Sequence, residues 1–281
     1  MKRYIKSAVK MASDETAKTA AKIAKSSTDP RVLSELASDK RTTVRKNLAA
    51  NPNTPESVLL QLVDGADFDI STNIARNPGA TANVLLKLSQ TPNLSGYAVG
   101  SILTHPNVTN GIIYRLAKHP DECVRGCLIR GCQISNASQL PDNIIDILSK
   151  DPDEYVRRTL LSYLIDNEII SEADYAQWAK DPSEKVRETV AIHTTSAELL
   201  NRLGYNHSNN VRFCVARNKN TPYEVLDRLK DDRGNIGHWA WIGIAEHPDT
   251  PTELLKKLYA EHDDNIGFEA YQNLKRRGIK L

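Results

Sequence analysis

The chain has 281 residues, 40% of them hydrophobic, with 37 Lys+Arg against 35 Asp+Glu. That near balance argues against an obligate nucleic-acid binder, and the slightly low apolar content favours an elongated array over one deep core. Four cysteines do not make a disulfide scaffold, Lys6 and Lys10 interrupt the early apolar stretch a secretory leader needs, and no apolar run approaches bilayer length; the expected setting is reducing and cytoplasmic.

The charge is unevenly spread. Residues 1–50 hold 12 Lys/Arg against 5 Asp/Glu, leaving 25 against 30 in residues 51–281, so the N-terminal end is the one suited to anions. Within it, "SDETAKTAAKIAK" (13–25) predicts a helix whose Ala20, Ile23 and Ala24 cover the first repeat. Residues 1–27 therefore read as a basic capping region and residues 28–281 as a repeat array.

From residue 28 one apolar phrase recurs: "VLSEL" (32–36), "VLLQL" (58–62), "VLLKL" (84–88), "IIYRL" (112–116), "IIDIL" (144–148), "LLNRL" (199–203), "VLDRL" (225–229) and "LLKKL" (254–258). "DYAQW" (174–178) fills the gap, with Trp178 in the leucine position. Between these lie second segments such as "VRKNLAAN" (44–51), "ISTNIARN" (70–77), "VRGCLIRG" (124–131), "VRETVAIH" (186–193), "VRFCVARN" (211–218) and "AWIGIAEH" (240–247). All show the i, i+1, i+4 spacing of short amphipathic helices and none alternates with period two, which predicts nine two-helix units. The connection near 133–142 is irregular.

The punctuation is regular too. Thr54-Pro55, Thr221-Pro222-Glu224 and Thr250-Pro251-Glu253 read as N-cap, N1 and N3 of first helices. Asp151-Pro152 and Asp181-Pro182 read as N-cap and N1 of second helices, with His119 in the slot of Asp151. Asn51, Asn77 and Asn218, with His105, His193 and His247 in the same slot, read as second-helix stops. An acid six residues before an arginine recurs as Asp39/Arg45, Asp151/Arg157 and Asp181/Arg187, and that recurrence from unit to unit marks a structural pair rather than a catalytic set.

The phrase N-P-x-T-P-x-x-(V/L)-L-x-x-L with V-R-x-x-(L/V)-A-x-N after it resembles the leucine-rich repeat variant, a short relative of HEAT and armadillo arrays, over roughly residues 28–278. The resemblance implies an all-α, right-handed superhelical α-solenoid of about nine short two-helix repeats. "DPDEYVRRTL" (151–160) is also similar to a phrase in HEAT-like alkylpurine DNA glycosylases, which implies a basic concave groove with aromatic and carboxylate side chains at the damaged nucleotide. In this chain only Trp239 and Glu246, seven residues apart, offer such a pair.

No H-E-x-x-H pair, phosphate-binding glycine loop, nucleophile elbow or dinucleotide fingerprint is present. Cys123, Cys127 and Cys132 lack a fourth ligand, and Cys127 shares a packing slot with Thr159, Thr189 and Cys214. No catalytic residue, metal or cofactor is therefore expected. What remains is the outward face of the second helices, carrying Tyr97, Arg130, Tyr155, Arg158, Phe213, Arg217, Trp239 and Ile242, with Arg76 and Arg276 extending one row. Aromatic and arginine residues dominate binding hot spots; the competing reading is sideways packing between units. The expected function is a non-catalytic scaffold whose second-helix face holds a protein partner. The alternatives are nucleic-acid binding, aided by the basic N-terminus and including glycosylase activity, and an inhibitor or adaptor role in a viral or defence setting. No membrane partner and no small-molecule cofactor are expected.

Overall fold

The computed structural model describes residues 17–134, 139–232, 235–262 and 264–279. Residues 13–16 of the predicted N-terminal helix and 135–138 of the predicted irregular connection lie outside them. Residues 17–26 are helical (α1), and nine helix pairs come after them among the described residues. In the compact unit Met1–Leu160 these are α2 (Pro30–Glu35) with α3 (Thr42–Ala50), α4 (Glu56–Val63) with α5 (Phe68–Arg76), α6 (Ala82–Leu88) with α7 (Gly96–Leu103), and α8 (Asn110–Ala117) with α9 (Glu122–Ile134). Next come α10 (Asp142–Ser149) and α11 (Glu154–Asp166), the latter running across the boundary. The second unit, Leu161–Leu281, holds α12 (Glu172–Trp178) with α13 (Glu184–His193), α14 (Ala197–Leu203) with α15 (Asn209–Arg217), α16 (Tyr223–Leu229) with α17 (Asn235–Glu246), and α18 (Thr252–Glu261) with α19 (Asn265–Arg276). No strand occurs among the described residues.

Each unit is an α-solenoid. In the first, α3, α5, α7 and α9 pack one against the next, and α4, α6, α8 and α10 form a second layer. In the second, α13, α15, α17 and α19 stack in the same way. Helices this short are unstable alone; burial between neighbours holds them, as Val44, Leu48, Ile70, Ile74, Val211 and Val215 show by being almost wholly inaccessible. Each such aliphatic side chain contributes about 1.5–3 kcal/mol on burial.

The stop residues turn out to be inter-pair ties. Asn77 is 1% exposed; its Nδ2 donates to Ala49 O (2.8 Å) and Asn51 O (2.9 Å), while its Oδ1 accepts from Gly79 N (2.8 Å). Asn51 ties back to Ala24 O and Ser27 O, and Asn218 to Ala191 O and Thr194 O. His105 reproduces the pattern with a ring, its Nε2 meeting Asn77 O (3.0 Å) and its Nδ1 accepting from Asn107 N (3.1 Å). His119 does the same with Thr91 O and Asp121 N. Because Nδ1 accepts, the proton sits on Nε2. His193 does not belong to this set. Helix α13 runs one residue longer, His193 is exposed, and buried Thr194 takes the slot.

Two capping assignments are corrected. Thr54, Thr221 and Thr250 are buried and do not cap the helices they precede. Their Oγ1 atoms donate back to Leu48 O, Val215 O and Ile244 O, six residues upstream, closing the preceding helix, while Pro55, Pro222 and Pro251 occupy the N-cap without a side-chain bond. Asp151 and Asp181 also lie two residues too early: Asp153 and Ser183 cap α11 and α13 by accepting from Tyr155 N and Lys185 N. Asp151 instead receives Arg125 from the previous pair, Nε to Oδ2 at 2.7 Å and Nη2 to Oδ1 at 2.9 Å.

The arginine ladder obeys that logic. Arg125, Arg157, Arg187 and Arg212 each donate Nη1 to the carbonyl six residues upstream, so the i, i+6 contact is to backbone rather than carboxylate. Arg212 Nε reaches Asp232 of the next pair at 2.9 Å. Asp39 and Arg45 do not pair: Arg41 holds Asp39, and Arg45 donates to Leu62 O, Asp64 O and Gly65 O. At the N-terminal end α1 does cover α3, through Asn47 to Ala21 O, Asn51 to Ala24 O and buried Ala24; Ile23, however, points outward at 38% exposure.

Candidate functional site

Two depressions on the second-helix face, one in each unit, gather the sequence-predicted residues. In the first, α5, α7 and α9 frame an open groove of about 1140 Å³. Its walls include Phe68, Arg76, Tyr97, Cys127 and Arg130, and Gly96, Gly100 and Gly131 leave its floor low. A Cβ built on Gly100 meets nothing within 4 Å, whereas one on Gly96 would strike Cys127 Sγ and one on Gly131 would strike Leu103 Cδ1. So Gly96 and Gly131 permit close helix approach, while Gly100 simply leaves space. Phe68 and Tyr97 stand 53% and 68% exposed and meet edge to face with centroids 5.7 Å apart. Arg76 Nε donates to Ser101 Oγ at 3.3 Å. Arg130 lies 5.2 Å from the ring of Tyr155, which is itself folded over Gly126.

The second unit has a more polar cleft of about 660 Å³ between α15, α17 and α19. Arg217 rests on the Trp239 ring (4.5 Å) and near Phe213 (5.5 Å), and the two aromatics meet edge to face at 6.1 Å. Glu246, Glu269, Lys219 and Arg276 complete the rim. Burial pushes the Glu246 carboxyl above the usual range, neighbouring Glu269 adds to that, and Arg276 opposes it.

The eight sequence-predicted residues thus divide. Tyr97 and Arg130 share the first groove; Phe213, Arg217 and Trp239 form one stacked cluster; Tyr155 supports Arg130; and Arg158 is exposed away from these contacts. Ile242 is a correction as an outward position: at 6% exposure it belongs to the buried cluster of Ile244, Leu255 and Ile266, although it also lines the cleft. Phe68 and Glu269 were missed. Phe68 stands at the first turn of its helix, one residue after the N-cap Asp67 and ahead of the repeated phrase; Asp67 was the readable signal. Of the cysteine cluster, Cys123 is exposed beside Asp121 and Glu122, Cys127 lines the groove and Cys132 is buried, so they face three environments.

No family model and no curated protein matches this chain.

Proposed function

We propose that this chain is a non-catalytic binding protein of the leucine-rich repeat variant and HEAT-like type, which uses its second-helix face to hold a protein partner. The observation that carries this reading is the first groove, where two large aromatics stand exposed beside two arginines on a face turned from the core. Solvent alone does not favour large aromatics there. The test compares partners recovered by the wild type and by a Phe68→Ser, Tyr97→Ser, Arg130→Glu variant of unchanged helicity. A protein retained by the first and lost by the second supports the reading; equal recovery refutes it.

A second reading, nucleic-acid binding with glycosylase chemistry as its furthest form, draws on the second cleft, which brings Trp239 and Glu246 together with Arg217, Lys219 and Arg276. Duplex binding that weakens steeply with salt would favour it, and release of a methylated purine would establish an enzyme. A flat salt response removes it.

A further inference from the structure

Resting on the protein-binding reading above, we infer that the first-unit groove accommodates an extended acidic peptide, its apolar side chains seated against Phe68 and Tyr97 and its carboxylates facing Arg76 and Arg130.

Charge complementarity selects this occupant. Among the described residues the groove lining includes no aspartate or glutamate, and His105 spends both ring nitrogens on backbone groups, so the site's own charge is the two guanidiniums. Arg76 donates Nε to Ser101 and Arg130 is braced by Tyr155, which holds both arginines in place on the groove wall. Guanidinium forks suit carboxylates in bidentate geometry. The rest of the lining is mainly apolar, from Phe68, Ala75, Pro78, Tyr97 and Pro106, with Ser101 and Thr104 adding hydroxyls. Such walls take apolar side chains and give nucleobase edges few hydrogen-bonding partners. Three helices at the usual spacing of about 8–10 Å span roughly 20 Å, the reach of about six extended residues. Two cations match a short acidic segment, not a polyanion that presents a phosphate at every nucleotide.

Gly100 supplies a blocking variant that does not disturb the core. Its Cβ direction is open, and replacing a helical glycine favours the helix, so Gly100→Trp fills the groove with thermal stability unchanged or raised.

The experiment uses an array of eight-residue peptides with Leu, Ile, Phe or Trp at central positions, flanked by Asp/Glu, by Ser or by Lys. The full-length protein should bind acid-flanked sequences at least tenfold more tightly than their Lys-flanked counterparts. Arg76→Ala and Arg130→Ala should each weaken that binding about tenfold, and Gly100→Trp should abolish it. Peptides bound equally well with Ser or Lys flanks overturn the acidic assignment but leave the docking groove standing. Binding unaffected by Gly100→Trp, or no binding in any class, overturns both. A fluorescent oligothymidylate that binds and displaces the peptides replaces the peptide by a nucleic acid.

Discussion

Replacing Asn77 tests whether the inter-pair ties carry the solenoid. Asn77→Ala removes three hydrogen bonds, two buried, from Nδ2 to Ala49 O and Asn51 O, and one part-buried, from Gly79 N to Oδ1. Asn51 O retains Thr54 N as a donor, whereas Ala49 O and Gly79 N lose these side-chain partners. At about 1 kcal/mol per net hydrogen bond, and more where a buried group is stranded, the expected loss is about 3 kcal/mol. Asn77→His should retain most of this, because His105 performs the same pair of tasks with Nε2 and Nδ1. Asn77→Asp should be no better than alanine, since it sets a carboxylate oxygen against two carbonyl oxygens. The assay is urea unfolding monitored by far-ultraviolet circular dichroism. Tryptophan fluorescence would report from the second unit, where Trp178, Trp239 and Trp241 lie. A loss below about 1 kcal/mol for alanine, or histidine ranking below alanine, refutes the reasoning.

Three further perturbations probe other parts of the molecule. Arg125→Ala leaves the buried Asp151 carboxylate without its bidentate partner; a loss of about 3–5 kcal/mol is expected in chemical unfolding, and an effect typical of a surface pair would argue that the ladder is incidental. Burial raises the Glu172 pKa, but hydrogen bonds from Thr195 and Thr194 outweigh it and hold the carboxyl below its ordinary 4.5. A lowered folded pKa gives stability that is present above pH 4.5 and lost as the pH falls through the folded value. Glu172→Gln should therefore destabilise at neutral pH by an amount that shrinks on acidification, and a pH-independent difference between thermal melts would count against this. Burial pushes the Cys132 and Cys214 thiols up to about 11, so at pH 8 a disulfide reagent should label exposed Cys123 first, part-exposed Cys214 more slowly and buried Cys132 only on unfolding; labelling of Cys132 as fast as Cys123 in the folded protein would contradict its placement.

The nine helix pairs among the described residues could be read from the chain because each short helix buries the same face, and the i, i+1, i+4 spacing of Val58, Leu59 and Leu62 records that face directly. Asn77 and Asn218 could be recognised as stops, since a helix end also has a local signature. Their second role could not, because the carbonyls they reach lie more than twenty residues away. The same limit explains the threonines. A hydroxyl before proline can cap forward or backward, and in the folded chain Thr221 turns back to Val215 O. It explains the arginines too: the sequence placed Arg157 near Asp151, but packing gives that carboxylate to Arg125. The candidate site was half legible. Helical periodicity put Tyr97, Arg130, Phe213, Arg217 and Trp239 outside the core, yet it assigned Ile242 there as well, which is buried. The amino-acid sequence by itself determined the helices, their number and their inward faces, because those depend on local spacing and solvent. Only tertiary structure decided which outward positions face open space, as Gly100 does, because that depends on what neighbouring helices send, or fail to send, into the same volume.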